Sequence, residues 1–474
     1  MEPASAIPCP NCERLQAQLE AQRLQIEALQ AAVTQLQGQL AAARKDSSTS
    51  SKPPSSDIVK PPKPASPAGS KRRIGGQPGH PKHERAAFPT EQVTHFAEHL
   101  LHCCPDCGGA LRRNGCFARV VQQVDVQRPP LTIEQHTCPE YFCGHCAKAY
   151  KADLPGPIET GGLVGERLTV LIAYLKGVCH ASFSTVRKFL RDIAGVTISR
   201  GQLAKVIAKV SEALARPYDE LLGRLPDEPA LNVDETGHKD NGELLWTWCF
   251  KAELYTLFKI EPSRSADVLL EVLGEEFDGV LGCDCFGAYR RYMRECDVRV
   301  QFCLAHLIRE VKFLTALPDE ATRRYGERLR ESLRGLFGII HRREQFSAAD
   351  FQRHLRLARD GVLGWARHEV PASRAAQRLA ARMEKYGTSY FEFITTPGIG
   401  PTNNAAEQAI RFVVIDRHIT QGTRGEKGQR FSERMWTVLA TCGQQGRSVF
   451  EYLTAAVAAH FQQEAAPTLL PVEV

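Results

Sequence analysis

Three acidic residues lie in separate motifs of the 474-residue chain, each in a setting where a carboxylate can bind a metal ion. Asp234 lies in LNVDETG, Asp284 in VLGCDCFGAYR and Glu407 in PTNNAAEQAIR. Two divalent ions held about 4 Å apart by such groups activate a nucleophile and stabilise a leaving oxygen at phosphorus. Carboxylates are the natural ligands of hard ions such as Mg²⁺ or Mn²⁺. The pattern predicts a two-metal site for nucleotidyl transfer.

The elements that must position the first two acids lie within residues 230–317. LNVDETG, ELLWTWCFKA and LYTLFKIE predict three antiparallel strands, followed by a helix, a fourth strand over 279–284, a short helix and a fifth strand over 298–303. This is the element order of a ribonuclease-H-like fold, in which the first strand lies beside the fourth. Asp234 and Asp284 would then be neighbours. Glu235 would face the other way, because successive strand side chains alternate.

Composition indicates a globular protein of several domains, with 43% hydrophobic residues and a formal net charge of +6. The mild basic excess favours a polyanionic partner. Sixteen cysteines without a secretory leader predict thiolate metal ligands in a reducing compartment rather than disulfides. No apolar stretch approaches the roughly 20 residues that span a bilayer. We therefore expect a cytoplasmic protein with no membrane contact.

The N-terminal region predicts a zipper and a tether. Residues 13–45 carry a heptad seam that favours a parallel dimer, although a helix packing on its own chain is the alternative. The seam consists of Leu15, Leu19, Ile26, Leu29, Val33, Leu36 and Leu40, with Gln22 in its polar slot. Residues 46–88 are rich in Ser, Pro, Lys and Gly and predict a disordered basic linker.

Residues 89–155 carry two Cys-x-x-Cys knuckles, and this spacing predicts a zinc ribbon with four thiolate ligands. The ligands are Cys104, Cys107, Cys143 and Cys146. The stretch 120–133 between the knuckles predicts strand. Free buried thiols are the alternative, and Cys9 with Cys12 is interpreted as an unmetallated dithiol.

Residues 163–228 predict short helices with helix-turn-helix spacing, capped by Ser184 and Ser199. The last helix would present Arg200, Gln202 and Lys205 to base edges. The alternative is a helical support for the domain that follows. Residues 318–397 predict an all-helical insertion rich in arginine, and 398–465 return to the catalytic core.

Basic residues after Glu407 predict a DNA-binding surface, since phosphates beside a metal site need cations. They are Arg411, Arg417, Arg424, Lys427 and Arg430. His306 has two interpretations, a residue that meets a phosphate or the site and an ordinary capping or core histidine. Trp246 and Trp248 are expected to pack in the sheet rather than to stack on bases.

From about Cys9 onward the chain resembles transposases of the insertion sequence 66 family. The resemblance rests on the three acidic motifs, on SSKPPSSD and GGQPGH in the linker, on the two knuckles, on CLAHLIRE over 303–310, and on QGTRGEKGQR with TCGQQGRSVFEYL. It implies DDE catalytic roles for Asp234, Asp284 and Glu407. It also implies binding to the terminal inverted repeats of the element, dependence on accessory proteins from the same element, and a bacterial protein that is nucleoid-associated when bound to DNA. Gln408 departs from the family, where many relatives carry Arg.

Together these features predict a multidomain α/β transposase, dimeric or larger, that cleaves and joins DNA strands with Mg²⁺ or Mn²⁺ at the acids and Zn²⁺ in the ribbon. Two alternatives stay open. One is a DNA-binding regulator, with zipper and zinc ribbon, on an inert ribonuclease-H-like scaffold. The other is a metal-dependent nuclease that cuts without joining.

Overall fold

The computed structural model describes residues 10–43, 87–93, 95–96, 106–110, 122, 131–143, 145 and 148–470. Two compact units divide the chain, and residues 136–191 and 197–470 belong to the larger one. In the smaller unit, a 3-10 turn spans Thr90–Gln92, and Phe88 exchanges two backbone hydrogen bonds with the Gln122 amide. None of the described helices is long and apolar enough to cross a membrane.

The N-terminal helix α1 spans Pro10–Ala43 and begins three residues before the predicted zipper. Its seam side chains are at least half exposed in the single chain, from 50% for Leu40 to 66% for Leu29. Strands β1 (Glu140–Cys143) and β2 (Lys148–Lys151) form an antiparallel pair on either side of the second knuckle. The described residues of the 120–133 stretch, Gln122 and 131–133, lie outside any strand, so the strand expected there is not found in them.

Five helices follow: α2 (Gly156–Gly161), α3 (Glu166–Gly177), α4 (Phe183–Ala194), α5 (Arg200–Ala213) and α6 (Ala215–Arg224). Ser199 caps α5 as predicted, because its side chain accepts a hydrogen bond from the Gln202 amide. The prediction for Ser184 is wrong. Helix α4 begins one residue earlier, and Ser182 Oγ accepts from Thr185 N at 3.1 Å instead.

A five-stranded sheet forms the centre of the larger unit, in the order β5-β4-β3-β6-β7. Its elements are β3 (Ala230–Asp240), β4 (Glu243–Lys251), β5 (Thr256–Glu261), α7 (Ala266–Leu273), β6 (Val280–Cys283), α8 (Gly287–Glu295) and β7 (Arg299–Phe302). The first three strands are antiparallel, whereas β6 and β7 run parallel to β3. The predicted element order, and the position of the first strand beside the fourth, are both observed. The chain is therefore a mixed α/β protein.

Helices follow β7 and occupy the stretch 318–397, as expected. They are α9 (Leu304–Thr315), α10 (Glu320–His341), α11 (Ala348–Arg367), α12 (Arg374–Tyr386) and α13 (Glu392–Thr395). Several of their arginines pair with acids of neighbouring segments of the same stretch, such as Arg328 with Glu369 and Arg367 with Glu384. These contacts favour a solvated, self-paired charged surface over a DNA path.

Three helices complete the described fold: α14 (Asn404–Thr420), α15 (Glu426–Gln444) and α16 (Val449–Phe461). Helices α14 and α15 pack on one face of the sheet around a cluster of buried residues. The cluster contains Cys249, Phe258, Ile260, Ala406, Ile410, Val413 and Trp436. Helix α5 also packs on α15 and α16, and Arg434 of α15 donates to Ser211 O at 2.8 Å. The predicted DNA-reading helix therefore also supports the catalytic part.

Strand β5 lies at one edge of the sheet, and α15 satisfies its outward backbone groups. Thr256 N donates to Thr441 Oγ1 at 3.2 Å, and Phe258 N donates to Thr437 Oγ1 at 3.1 Å. Ile260 N donates to Glu433 Oε1 at 2.6 Å. The three acceptors are four residues apart and so share one helix face. An open edge would otherwise invite pairing with another chain.

Candidate active site

Asp234 lies midway along β3, with its carboxylate in a desolvated position. Its Oδ1 accepts a hydrogen bond from Glu235 N at 3.0 Å. Desolvation raises the pKa of Asp234 well above its ordinary value, and the charges of Glu235, Asp284 and Glu407 raise it further. The structure thus brings the three predicted acids close enough for their charges to interact.

Asp284 follows the last residue of β6, where the strand gives way to the turn before α8. Its Oδ1 accepts a hydrogen bond from Phe286 N at 2.8 Å. Desolvation and the Glu235 charge raise its pKa, while His306 opposes that shift. Among the described residues, no basic side chain comes within 4.0 Å of either the Asp234 or the Asp284 carboxylate oxygens. Neither carboxylate therefore has a salt-bridge partner, although the charges of His306 and Arg264 lower the pKa of Asp284.

Asn403 joins the start of α14 to the central strand. Its Nδ2 donates to Val233 O at 2.7 Å, and its Oδ1 accepts from Asn232 Nδ2 at 2.9 Å. Its backbone N donates to Cys303 Sγ at 3.1 Å. Asn403 is 1% exposed. These bonds hold Glu407, one turn further along α14, beside β3 and the start of α9.

Glu407 lies between two basic residues of α9. Arg309 NH2 is 3.3 Å from Glu407 Oε2, and His306 Nδ1 is 3.6 Å from Glu407 Oε1. His306 Nδ1 and Glu407 Oε1 are both buried without a hydrogen-bond partner. Within the part of the chain that the structure describes, Cys303, His306 and Glu407 form a group whose ligand atoms all lie within 4.8 Å of one another. Asp234 and Asp284 do not belong to such a group.

Glu235 points to the opposite face of β3, as alternation requires. Arg264 contacts its Oε1 through Nε at 2.7 Å and NH2 at 2.5 Å, and the Tyr289 hydroxyl donates to its Oε2. The Arg264 guanidinium also stacks over the rings of Trp246 and Phe286, 4.7 and 3.9 Å from their centroids. Glu235 therefore has a cationic partner and a hydroxyl donor, which Asp234 does not.

A cleft of about 520 Å³ opens beside Asp284. Its lining combines acids, arginines and aromatic rings, including Glu235, Trp246, Arg264, Asp284, Phe286, His306, Glu310 and Arg382. Trp248 is fully buried, as predicted for a sheet-packing residue. The same prediction is wrong for Trp246, which is half-buried and lines the cleft because it lies near the hairpin end of β4.

The predicted DNA-binding residues fall in different places. His306 lies in the acidic site, and Arg417 NH1 donates to Thr236 Oγ1 at 3.1 Å, on the face of β3 that carries Asp234. Arg424 and Lys427 line a second cavity of about 310 Å³, together with Lys176. Exposed positions are occupied by Arg200, Lys205 and Arg411, and Gln202 is half-buried. Arg430 instead pairs with buried Glu433 at 2.7 Å, so its predicted contact with DNA is not supported.

The segment 421–425 holds Arg424 against the β3–β4 hairpin. Thr423 N donates to Lys239 O at 2.9 Å, and Asn241 N donates to Thr423 O at 3.1 Å. Thr423 Oγ1 also donates to Asp240 Oδ1 at 2.6 Å. Gly422 has a φ of +86°, and a Cβ there would lie 2.1 Å from Lys239 O. Only glycine fits this contact.

The zinc ligands are only partly described. Cys107 is exposed in the turn 106–107, and Cys143 ends β1. Cys104 and Cys146 lie outside the described residues, as do Cys9 and the linker over 46–86. The zinc ribbon stays a prediction.

Two site residues escaped prediction from sequence. They are Asn403 and Arg264. The pair of asparagines that precedes Glu407 was the available signal for Asn403, because asparagine is common where a helix begins. Nothing in the local sequence around Arg264 pointed to Glu235, since their contact joins a strand to a loop 29 positions later.

Comparison with known families agrees with a protein that acts on DNA. A family model described as "Transposase IS66 family" matches residues 161–430, which include all three acids. The match covers more than half of the chain, so this protein belongs to the Transposase IS66 family. A second model, described as "Family of unknown function (DUF6444)", matches residues 5–86. A search of curated proteins found no match.

Proposed function

We propose that this transposase binds the terminal inverted repeats of its insertion sequence and catalyses metal-dependent cleavage and transfer of DNA strands. The catalytic core would be a ribonuclease-H-like domain formed by residues 230–317 and 398–465. One observation carries the proposal: Asp234 and Asp284 are desolvated carboxylates without a salt-bridge partner, on β3 and just after the adjacent β6, and their charges interact with each other, while that of Glu407 acts on Asp234.

The carboxylates fit a pair of divalent cations on physical grounds. Like charges held together in a desolvated place destabilise one another, and a bound cation reverses that effect. Glu407 Oε1 is buried and free of hydrogen bonds, so it is available as a ligand. Asp234, Asp284 and Glu407 would hold Mg²⁺ or Mn²⁺.

Such ions, when bound, activate the attacking oxygen and stabilise the leaving oxygen at phosphorus. Water first breaks the phosphodiester at the element end and leaves a 3′-hydroxyl. That hydroxyl then attacks a phosphodiester of target DNA, so one bond forms as another breaks and no covalent protein intermediate is needed. The protein's own part is alignment, because correct orientation of reacting groups removes much of the barrier.

Charged residues around the three acids are largely paired with one another, which leaves the acids themselves to bind the ions. Arg264 and Tyr289 hold the Glu235 charge, and Arg382 pairs with Glu310 at 3.0 and 2.5 Å. Arg417, on the same face of β3 as Asp234, is suited to contact a phosphate of the DNA backbone. Arg264 and Trp246, in the cleft, are suited to stack on an unpaired base.

The other predicted modules would bind the DNA ends and hold two copies of the chain together. The seam of α1 is exposed along its length, which supports pairing with a second copy over 13–45. The zinc ribbon over 89–155 and the helices over 163–228 would contact the inverted repeats, through Arg200, Gln202 and Lys205 in the second case. Accessory proteins of the same element are further proposed partners.

A strand-transfer assay tests the proposal. Labelled element ends, plasmid target and Mg²⁺ are incubated with the full chain, and both cut and joined products are measured. Cleavage with joining is expected. Cutting without joining would identify a nuclease, and binding without cutting would identify a DNA-binding regulator on an inert scaffold.

A further inference from the structure

Cys303, His306 and Glu407 meet where the first turns of two helices come together. Cys303 is the N-cap of α9, His306 lies in the first turn of α9, and Glu407 lies in the first turn of α14. Leu304 N donates to Pro401 O at 3.0 Å, and this bond joins the two helix starts. The three ligand atoms lie within 4.8 Å of one another. The arrangement is thus built by backbone contacts rather than by flexible side chains.

The Cys303 sulfur is surrounded by backbone donors. Asn403 N donates to Sγ at 3.1 Å, and the amides of His306 and Ala305 act on it as well. Burial raises the pKa of the Cys303 thiol, and these three amides oppose that shift. A cation that displaces the thiol proton would leave a thiolate already supplied with donors. Backbone amides and a helix N-terminus stabilise a thiolate in this way.

The other two members each have a free ligand atom. His306 Nδ1 and Glu407 Oε1 are buried and make no hydrogen bond, although buried polar atoms in proteins nearly always do. They are 3.6 Å apart, too far for a hydrogen bond to each other. Two ligands of one tetrahedral zinc ion lie about 3.4 Å apart, given bonds of about 2.1 Å. The separation therefore suits two atoms that share a cation.

We propose that Cys303, His306 and Glu407 bind one divalent cation of the zinc class, at a site next to the proposed catalytic acids. A thiolate and an imidazole select borderline-soft ions over Mg²⁺. Three protein ligands leave the fourth position open to solvent or to a phosphate oxygen, as in reactive rather than structural zinc sites. The proposed site shares Glu407 with the proposed catalytic acids, and in that respect it rests on the proposed function. Its three ligands do not depend on whether the protein cleaves DNA.

Cobalt binding tests the site directly. The full chain is stripped of loosely bound metal and titrated with Co²⁺, while thiolate-to-cobalt absorption and bound metal are measured. Cys303→Ser is compared with wild type, because serine is a good N-cap and keeps the helix start while removing the soft ligand. Other cysteines contribute equally to both spectra. Cys303→Ser is expected to lose about one cobalt per chain and the matching share of absorption.

Matched controls separate this outcome from the proposed catalysis. Cys442→Ser removes another buried thiol, away from the site, and is expected to bind cobalt like wild type. Asp234→Asn should also keep the thiolate absorption even where it abolishes cleavage. Identical spectra and metal content for wild type and Cys303→Ser would overturn the proposed site and leave the proposed catalysis untouched. Loss of the signal in Cys303→Ser, together with an absence of cleavage by wild type, would support the proposed cation site and overturn the proposed catalysis.

Discussion

Two desolvated carboxylates, one on strand β3 and one on helix α15 that packs against the sheet, have opposite surroundings. Glu433 is fully buried, and both of its oxygens have partners: Ile260 N at 2.6 Å and Arg430 NH1 at 2.7 Å. Asp234 has only the amide of its neighbour Glu235, at 3.0 Å. Both have a raised pKa, and desolvation is the main cause in each case. A raised pKa caused by desolvation therefore does not distinguish Glu433 from Asp234.

The two carboxylates differ in the groups that lie nearest to them. Glu433 is directed at the edge of β5, where a backbone amide needs an acceptor, so its role is structural. Asp234 is directed at other acids, which no stable fold requires for its own sake. Buried like charges kept together at a cost in stability are typical of functional sites. The comparison predicts that neutralising these two residues will have different consequences.

The largest expected effect is on catalysis by Asp234→Asn. Removing one metal-binding carboxylate should lower strand cleavage by about a thousandfold or more, because such ions contribute several kcal/mol to the transition state. Binding to end DNA should persist. Cleavage of labelled ends and a mobility-shift assay measure the two properties. The control is Asp278→Asn, which neutralises an exposed carboxylate before β6. Wild-type cleavage by Asp234→Asn would remove Asp234 from the catalytic set.

Asn403→Ala should have the next largest effect, through Glu407. Without the bonds to Val233 O and Asn232, the start of α14 can shift, and small misplacements of reacting groups cost about a hundredfold in rate. Cleavage should fall by that order and require more Mg²⁺. Rates measured across a Mg²⁺ series check both points, with exposed Asn404→Ala as the control. An unchanged Mg²⁺ requirement would show that Asn403 does not position the metal ligand.

Divalent metal should stabilise the native protein. At a concentration a hundredfold above Kd, binding contributes about 2.7 kcal/mol, or about 5 °C in melting temperature for a domain of this size. Thermal melts with and without Mg²⁺ measure the shift. Asp284→Asn should reduce the shift and also raise the melting temperature without metal, since it removes a repelling charge. Equal shifts in both proteins would argue against metal at the acids.

The smallest expected effect concerns Glu433 and pH. Its pKa is raised from 4.5 to about 7 by burial. Between these values the native state holds a proton that the unfolded state has lost, so the free energy of unfolding falls as pH rises, and it levels off above 7. Denaturant unfolding of wild type and Glu433→Gln at pH 5 and pH 8 isolates this contribution. The glutamine variant should lose less stability between the two pH values and should cleave DNA normally. A parallel pH dependence in both proteins would exclude Glu433 as its source.

Much of the catalytic core was predictable because local patterns determine it. Asp234 and Asp284 lie in short apolar runs bounded by turn residues, and such runs form strands whose order follows from their connections. Glu407 follows the asparagines that begin a helix. The hairpin between β3 and β4 also turns at Asn241 and Gly242, both with positive φ, as the sequence pair favours.

The rest depends on contacts that no local pattern contains. Asn403 reaches Val233 across 170 positions, and Glu433 reaches Ile260 across 173. Trp246 and Trp248 share one strand face, yet only Trp248 is fully buried, because Trp246 lies nearer the hairpin turn. Helix packing decides these outcomes, and it is settled only in the folded chain.

The late position of α15 in the chain has a consequence for synthesis. Strand β5 ends at Glu261, whereas the helix that satisfies its edge begins at Glu426. Glu407 likewise emerges from the ribosome long after Asp234 and Asp284. Until these last helices are made, the nascent chain has an open sheet edge and an incomplete set of acids. The third acid and the closed sheet edge are therefore both completed only after all five strands of the sheet have been made.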